Sequence, residues 1–426
     1  MTGTIMVLTP ILLLILGVPI FLALLATCCI AVLATGGLPL TALHQNVFGS
    51  LDKLGLIAVP FFIFAGDLLS RGVIAAHLLR WVSALLNGVR GGLPVSALGT
   101  VTVFSAISGS TAATVAAVGK LTYERLVEAG YSRRFSSALI VSISAIDNLI
   151  PPSIGFILYG IASDTSIVRL FTAGIVPGIV MGAFFLAYIY YHVLKHGEEP
   201  ASGGFSMREV LRATREGAWA ISAPFAILGG IYAGLFSPTE AAGIACMYAL
   251  FVAMFVYKAL GWREFYDAAA RSMYLTAQIF LIVAVAGVYS WLLTVQGTAQ
   301  DGVAFIKAVD MPQWAVLLNI NLFLLLVGMA LDTASAILVL APLLAPIALA
   351  AGVDPIHFGV IVVMNLSIGT FTPPFGINIF VAQAAFKVQL RDLYPGLVPF
   401  IAASVAGLFV VTYNPALSLW LTNVMH

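Results

Sequence analysis

ISGSTAAT at Ile107–Thr114, then EAG at Glu128–Gly130, then SAIDNLIPPSIG at Ser144–Gly155, is a pattern this chain carries twice. The second copy reads MALDTASA at Met329–Ala336, AAG at Ala350–Gly352 and LSIGTFTPPFG at Leu366–Gly376. Adding 222 to a position in the first copy gives its partner in the second: Thr111 meets Thr333, Gly130 meets Gly352, and Pro151 and Pro152 meet Pro373 and Pro374. Each copy places a small polar tip between apolar arms and then a second apolar run interrupted by two prolines.

Composition says what medium these interruptions sit in. Of 426 residues, 61% are hydrophobic and 9% charged, and the mean hydropathy is +1.06, whereas soluble domains carry charge on about a quarter of their residues. A helix needs about 20 apolar residues to cross the hydrocarbon layer, and a barrel strand alternates over about 10, so the long runs predict an all-α polytopic membrane protein. A net charge of +1 argues against a nucleic-acid partner. The first apolar stretch, Ile5–Leu33, exceeds a signal h-region and lacks a basic n-region, so it reads as one retained helix. Cys28, Cys29 and Cys246 sit in apolar runs, and His44, His77, His192, His196, His357 and His426 read as scattered, with no pair at helical spacing. No disulfide framework, metalloenzyme or cofactor is expected.

The apolar segments flanking both tips and both Pro-Pro sites are about half a crossing long, which predicts two re-entrant helical hairpins and two broken helices. Duplicated Gly/Pro interruptions at matching places in two halves mark the binding site of an inverted-repeat secondary transporter. The polar stretch His196–Arg215, with Glu198, Glu199, Arg208, Glu209, Arg212 and Arg215, is the natural linker between the copies. Basic residues gather at Lys120, Arg125, Arg133 and Arg134 and at Lys258, Arg263 and Arg271, which the positive-inside rule places in the cytoplasm. Trp262–Arg271 reads as an interfacial helix joining a peripheral arm to a moving part.

The tip Ser108-Gly109-Ser110-Thr111 offers hydroxyls and bare backbone. Proline lacks an N–H and disfavours helix in the residue before it, so carbonyls in Asp147-Asn148-Leu149-Ile150-Pro151-Pro152 are freed. Such oxygens suit a hard cation such as Na⁺ without a buried carboxylate. In the second copy the tip is Asp332-Thr333-Ala334-Ser335 and the break is Gly369-Thr370-Phe371-Thr372-Pro373-Pro374. Two readings stand for Asp147 and Asp332: a group facing a cavity or cation, because charge in the bilayer is costly, or a group that holds a tip through exposed backbone N–H. An anionic cargo would lie between the tips at the positive helix ends, which favours carboxylates. Asp67 reads as the i, i+4 partner of Arg71, Asp164 as a cap, and Glu240 as a first-turn capping group behind Ser237 and Pro238. An intramembrane enzyme would need a catalytic pair, and no histidine accompanies Ser110.

The runs SGSTAATVAAVG, NLIPPSIGFILYG, SPTEAAG and TPPFGINIFVAQ, in that order, resemble the large membrane subunit of tripartite ATP-independent periplasmic (TRAP) transporters, over about Leu12 to Leu419. The resemblance implies an elevator-type transporter, with scaffold helices in 1–90, a first transport repeat in 91–170, and a linker with arm helices in 171–310. A second transport repeat then fills 311–390, and a C-terminal helix 391–426. It also implies a first Na⁺ site at Ser108, Gly109, Ser110, Asn148 and Pro151, and a second at Asp332, Thr333, Ser335, Thr370, Thr372 and Pro373. Cargo would meet Ser110, Thr111, Asp147, Asn148, Thr333, Gly369 and Thr370. Ala112 and Ala113 stand where many members show Ser or Pro. The implied partners are a separate small four-helix membrane subunit, a periplasmic substrate-binding protein, membrane lipid, and an organic acid such as a C4-dicarboxylate or sialic acid, at the bacterial inner membrane. The alternative is a self-sufficient Na⁺- or H⁺-coupled anion carrier of the wider ion transporter superfamily.

Overall fold

The computed structural model describes residues 2–35, 40–70, 73–196 and 204–425. Arg71, Glu198, Glu199 and His426 lie outside the described residues. Within them every regular element is a helix, the expected outcome where lipid leaves the backbone no external hydrogen-bond partner. Five helices are long and apolar enough to cross a membrane: Ile167–His196, Pro238–Val256, Trp262–Val295, Thr333–Ala350 and Leu390–Thr412. The pair Thr41–Leu51 and Leu54–Leu69, bent by 53°, adds a sixth if it counts as one span.

The two copies fold into the same succession of elements at the same offset. Gly92–Ser108, the helical run 111–128, the run 133–148 and Ile154–Ser163 correspond to Gln313–Gly328, Thr333–Ala350, Pro355–Gly369 and Ile377–Phe386. Gly130 and Gly352 close the second element of each copy with φ of 92° and 84°. The peptides Pro151-Pro152 and Pro373-Pro374 are both cis. Ile154–Ser163 and Ile377–Phe386 have 10 residues each, about 15 Å at the helical rise, or half the hydrocarbon thickness. The copies differ inside the second element: the first holds a π-helical turn at Val115–Gly119, the second has Pro342 and Pro346 within a continuous helix.

Three boundary expectations change. Ile5–Leu33 is not one helix but two, Thr2–Ile15 and Ile20–Thr35, packed on each other. Gly17 takes a positive φ of 78° and Val18 N–H returns to Leu13 O at 3.0 Å, a glycine helix stop, with Pro19 behind it. Hydropathy runs on across this turn and hides it. The segment Trp262–Arg271 is the first part of the unbroken 34-residue helix Trp262–Val295, about 51 Å long, and not a separate interfacial element. The segment 391–426 holds two helices, Leu390–Thr412 and Ala416–Met425.

In the linker, Met207–Glu216 is a short amphipathic helix capped by Ser206. Arg80 ties it down through Glu209 at 2.7 Å and through Glu216, and the Trp81 indole donates to Thr214 Oγ1 at 3.0 Å. Behind it, Ser237 and Glu240 form the expected capping box with Pro238 at the first helical position. Asp164 ends Ile154–Ser163 with a left-handed φ of 56°.

Candidate functional site

A cavity of about 300 Å³ lies where the two tips meet the two breaks. Its lining takes Ser108–Ala113 from the first tip, Asn148 from the first break, Asp332–Ala334 from the second tip and Thr370 from the second break. Helices outside the repeats complete it: Gly66 and Asp67 from Ala58–Leu69, and Arg271, Ser272, Leu275 and Ile279 from Trp262–Val295.

Polar links across the cavity join the tip of one copy to the break of the other. Thr111 Oγ1 donates to Asn378 Oδ1 at 2.9 Å, and Asn378 Nδ2 donates to Thr370 Oγ1 at 3.2 Å. Reciprocally, Asn148 Nδ2 donates to Thr333 Oγ1 at 3.4 Å. Thr111 and Thr333 are equivalent under the 222-residue offset, as are Asn148 and Thr370, so the sequence symmetry is also a symmetry of contacts. Backbones approach closely at two glycines. A Cβ on Gly109, whose φ is +64°, would stand 2.8 Å from Pro152 O, so the first tip seats directly on the first break. A Cβ on Gly369 would stand 2.3 Å from the Gly328 carbonyl carbon, so the second break packs directly on the end of Gln313–Gly328.

The structure sorts the expected residues. Ser110, Thr111, Asn148, Thr333 and Thr370 line the cavity; Asp147 and Gly369 do not. Gly369 is buried against Gly328, and Asp147 is 0% exposed, turned beneath the first tip toward Thr114, whose Oγ1 donates to Oδ1 at 3.1 Å. Both are therefore corrections to the expected cargo set. Among the expected ion ligands, Ser108, Gly109, Ser110, Asn148, Asp332, Thr333 and Thr370 border the cavity, while Pro151, Ser335, Thr372 and Pro373 do not line it. Asp332 is the N-cap of Thr333–Ala350: Oδ2 accepts from Ser335 N–H at 3.0 Å and Oδ1 from Ser335 Oγ at 2.5 Å. That is the tip-holding reading.

The freed carbonyls of the breaks are not bare. Asn148 O accepts from Ser153 Oγ at 2.6 Å, and Ser153 in turn caps Ile154–Ser163 by accepting from Phe156 N–H. Thr370 O accepts from Asn378 N–H at 2.9 Å. A carbonyl oxygen has two acceptor positions, so each keeps one for a ligand.

Three participants escaped the sequence reading. Asn378 has an apolar equivalent, Phe156, in the first copy, so the repeat gave no signal. Asp67 pairs with Arg271 at 3.3 Å, across 204 residues, while its expected partner Arg71 lies outside the described residues. Arg271, counted as a loop cation, is a cavity wall residue with its guanidinium about half exposed. His192 and His196 do stand one helical turn apart, with rings stacked at 4.1 Å; no group of three or more His, Cys, Asp or Glu able to hold a metal ion occurs among the described residues.

The fold and the cavity together define a multi-pass membrane transport protein. The chain matches, over residues 7–417, the family described as tripartite ATP-independent periplasmic transporter, DctM component, and it belongs to that family. It is 39% identical to the ectoine TRAP transporter large permease TeaC of Halomonas elongata, covering 99% of each chain. It is 36% identical to the C4-dicarboxylate large permease DctM of Pseudomonas aeruginosa, over 90% of this chain and 89% of that one. The isethionate TRAP transporter permease DctMQ of Oleidesulfovibrio alaskensis is 37% identical over 96% of this chain, which spans 64% of that relative's length. The YdaH transporter of Alcanivorax borkumensis shares the fold with a TM-score of 0.63 and 15% identity, covering 90% of this chain and 88% of that one.

Proposed function

We propose that this chain is the large permease of a Na⁺-coupled importer of small organic anions, working by an elevator motion of the two repeats and supplied by a periplasmic binding protein. The observation that carries the reading is the shared cavity at which each tip is linked to the break of the opposite copy, Thr333 directly to Asn148 and Thr111 through Asn378 to Thr370. In such an arrangement, cargo and ions bound between the copies stiffen tips and breaks together, and the loaded unit moves as one body. The helices that begin at Thr111 and Thr333 turn their N-termini to the cavity, where the helix dipole favours an anionic group, most openly at Thr111 because Asp332 already takes the Ser335 N–H of the other. Arg271, paired with Asp67, adds a cation to the lining. C4-dicarboxylates, isethionate and ectoine, named for the relatives, each carry an acidic group, and the cavity is of a size for molecules of that scale. Hydroxyl and carbonyl oxygens at Ser108, Ser110, Thr333 and Thr370 are the chemistry a hard monovalent cation takes. On this reading the implied small four-helix membrane subunit packs on the scaffold helices, and the chain sits in a bacterial inner membrane.

Cargo is assigned by thermal-shift screening of the cognate binding protein against succinate, isethionate, ectoine, sialic acid and other organic acids. The stabilising compound is then tested for uptake by vesicles holding this chain and its small subunit. Uptake that requires both Na⁺ and the binding protein supports the reading; uptake independent of both rejects it.

A further inference from the structure

Beneath the first tip, on the side away from cargo, oxygens converge without enough hydrogens to join them. Asp147, Ser105, Ser108 and Thr114 are each 0 or 1% exposed. Thr114 Oγ1 stands 3.1 Å from Asp147 Oδ1 and 3.4 Å from Ser108 Oγ, and has one hydrogen to give. The nearer contact takes it. Ser105 Oγ donates its hydrogen to Val101 O at 2.8 Å, while its side chain also faces the Asp147 carboxylate. Ser108 Oγ reaches Ser110 O only at 3.4 Å. Asp147 Oδ2, fully enclosed, makes no hydrogen bond of standard geometry, with the Ser110 backbone N–H and the Ser105 side chain as its neighbours. A sealed carboxylate oxygen with so few donors around it carries a large desolvation cost that a positive charge would remove.

The spacing fits an ion better than a hydrogen-bond network. Hydroxyl hydrogen bonds centre near about 2.7 Å. A hard cation that holds oxygens at about 2.4 Å separates neighbouring octahedral ligands by about 3.4 Å, the separation of Ser108 Oγ from both Thr114 Oγ1 and Ser110 O. Ser108 and Ser110 also border the cavity, so an ion has a way in.

We propose that Asp147, Thr114, Ser108 and the Ser110 carbonyl form a carboxylate-bearing Na⁺ site beneath the first tip, so that the first ion position of this chain carries its own negative charge. The proposal rests on the Na⁺-coupled reading and deepens it: the first ion set implied by the resemblance holds no carboxylate and the sequence left Asp147 between facing a cation and holding the tip, whereas here the ion is neutralised by Asp147. Asp147 then acts on cargo only through the ion and the tip, which explains why it is turned out of the cavity.

The test is thermal unfolding of the purified full chain in nanodiscs across a NaCl series, with choline chloride holding ionic strength constant. The wild type is expected to gain stability saturably with Na⁺. Asp147→Asn, which keeps the shape and removes the charge, is expected to raise the half-saturating Na⁺ concentration at least tenfold, and Thr114→Val severalfold. An Asp147→Asn midpoint equal to that of the wild type overturns the proposal, because it means that the carboxylate is neutral and ligates nothing. If Asp147→Asn does not fold, Thr114→Val decides, and an unchanged midpoint there is equally fatal. A wild type indifferent to Na⁺, both in stability and in vesicle uptake, removes the Na⁺-coupled reading and this site with it; a Na⁺-responsive wild type with unresponsive variants removes only the site.

Discussion

Truncating Asn378 to Ala would open the link between the first tip and the second break. The side chain accepts from Thr111 Oγ1 at 2.9 Å and donates to Thr370 Oγ1 at 3.2 Å, and it is fully buried. Each bond contributes about 0.5–1.5 kcal/mol net, so losing both costs about 1–3 kcal/mol. Thr370 keeps its own bond to Ser367 O at 2.6 Å, so Thr111 is the group left with an unmet hydroxyl. If the link holds the cargo-competent arrangement, the loss falls on binding, and 1.4 kcal/mol of it raises KM about tenfold. A double-mutant cycle isolates the contact: Thr111→Val and Asn378→Ala, singly and together, read by KM for uptake and by thermal stability. The account expects a coupling of about 0.5–1.5 kcal/mol in KM, with the double variant little worse than Asn378→Ala alone. Strictly additive effects would refute the tip-to-break link as a working contact.

Further outcomes follow from other residues. Gly369→Ala forces a Cβ to within 2.3 Å of the Gly328 backbone, which cannot rotate away, so it should destabilise by more than the usual 1–3 kcal/mol or so of overpacking and abolish accumulation of a tagged protein in the membrane fraction. Arg271→Gln should leave the melting temperature nearly unchanged, because a half-exposed pair such as Asp67–Arg271 contributes about 0.2–1 kcal/mol, yet raise KM for carboxylates about tenfold, as expected for a lost charged hydrogen bond. Asp332→Asn keeps the N-cap and should fold normally, whereas Asp332→Ala loses about 1 kcal/mol of cap stability; reduced Na⁺ activation of uptake in the well-folded Asn variant would assign Asp332 to an ion. Ser110→Ala should shift the Na⁺ dependence of uptake to higher concentration with no more than about 0.5 kcal/mol change in stability.

The sequence was most readable where a local rule and the repeat agreed. Two polar tips, two Pro-Pro breaks and the Ser237–Glu240 cap needed only spacing and turn chemistry, and the structure holds them at the expected positions. The split of the first apolar stretch was also written locally, in Gly17-Val18-Pro19, but continuous hydropathy outweighed the turn signal. Direction is what a lone sequence lacks. It placed Asp147 at a break without saying that the side chain turns under the tip, out of the cavity lining, because helix phase across a 3₁₀ turn such as Ser144–Asn148 is not fixed by spacing. Arg271 and Asn378 were missed for a different reason: each meets the site through a partner more than 200 residues away, and the repeat marks neither, because Asn378 stands opposite the apolar Phe156 and Arg271 lies outside both copies.

The central claim is tested most directly by counting ions. Vesicles holding this chain and its small subunit are given loaded binding protein outside, and uptake of the labelled cargo is followed with an inward Na⁺ gradient, with the same gradient collapsed by an ionophore, and with K⁺ replacing Na⁺ under a pH gradient. The account predicts accumulation in the first case alone, with ²²Na⁺ entering in fixed ratio to cargo. Equal accumulation in K⁺ driven by the pH gradient, with no ²²Na⁺ entry, would contradict it.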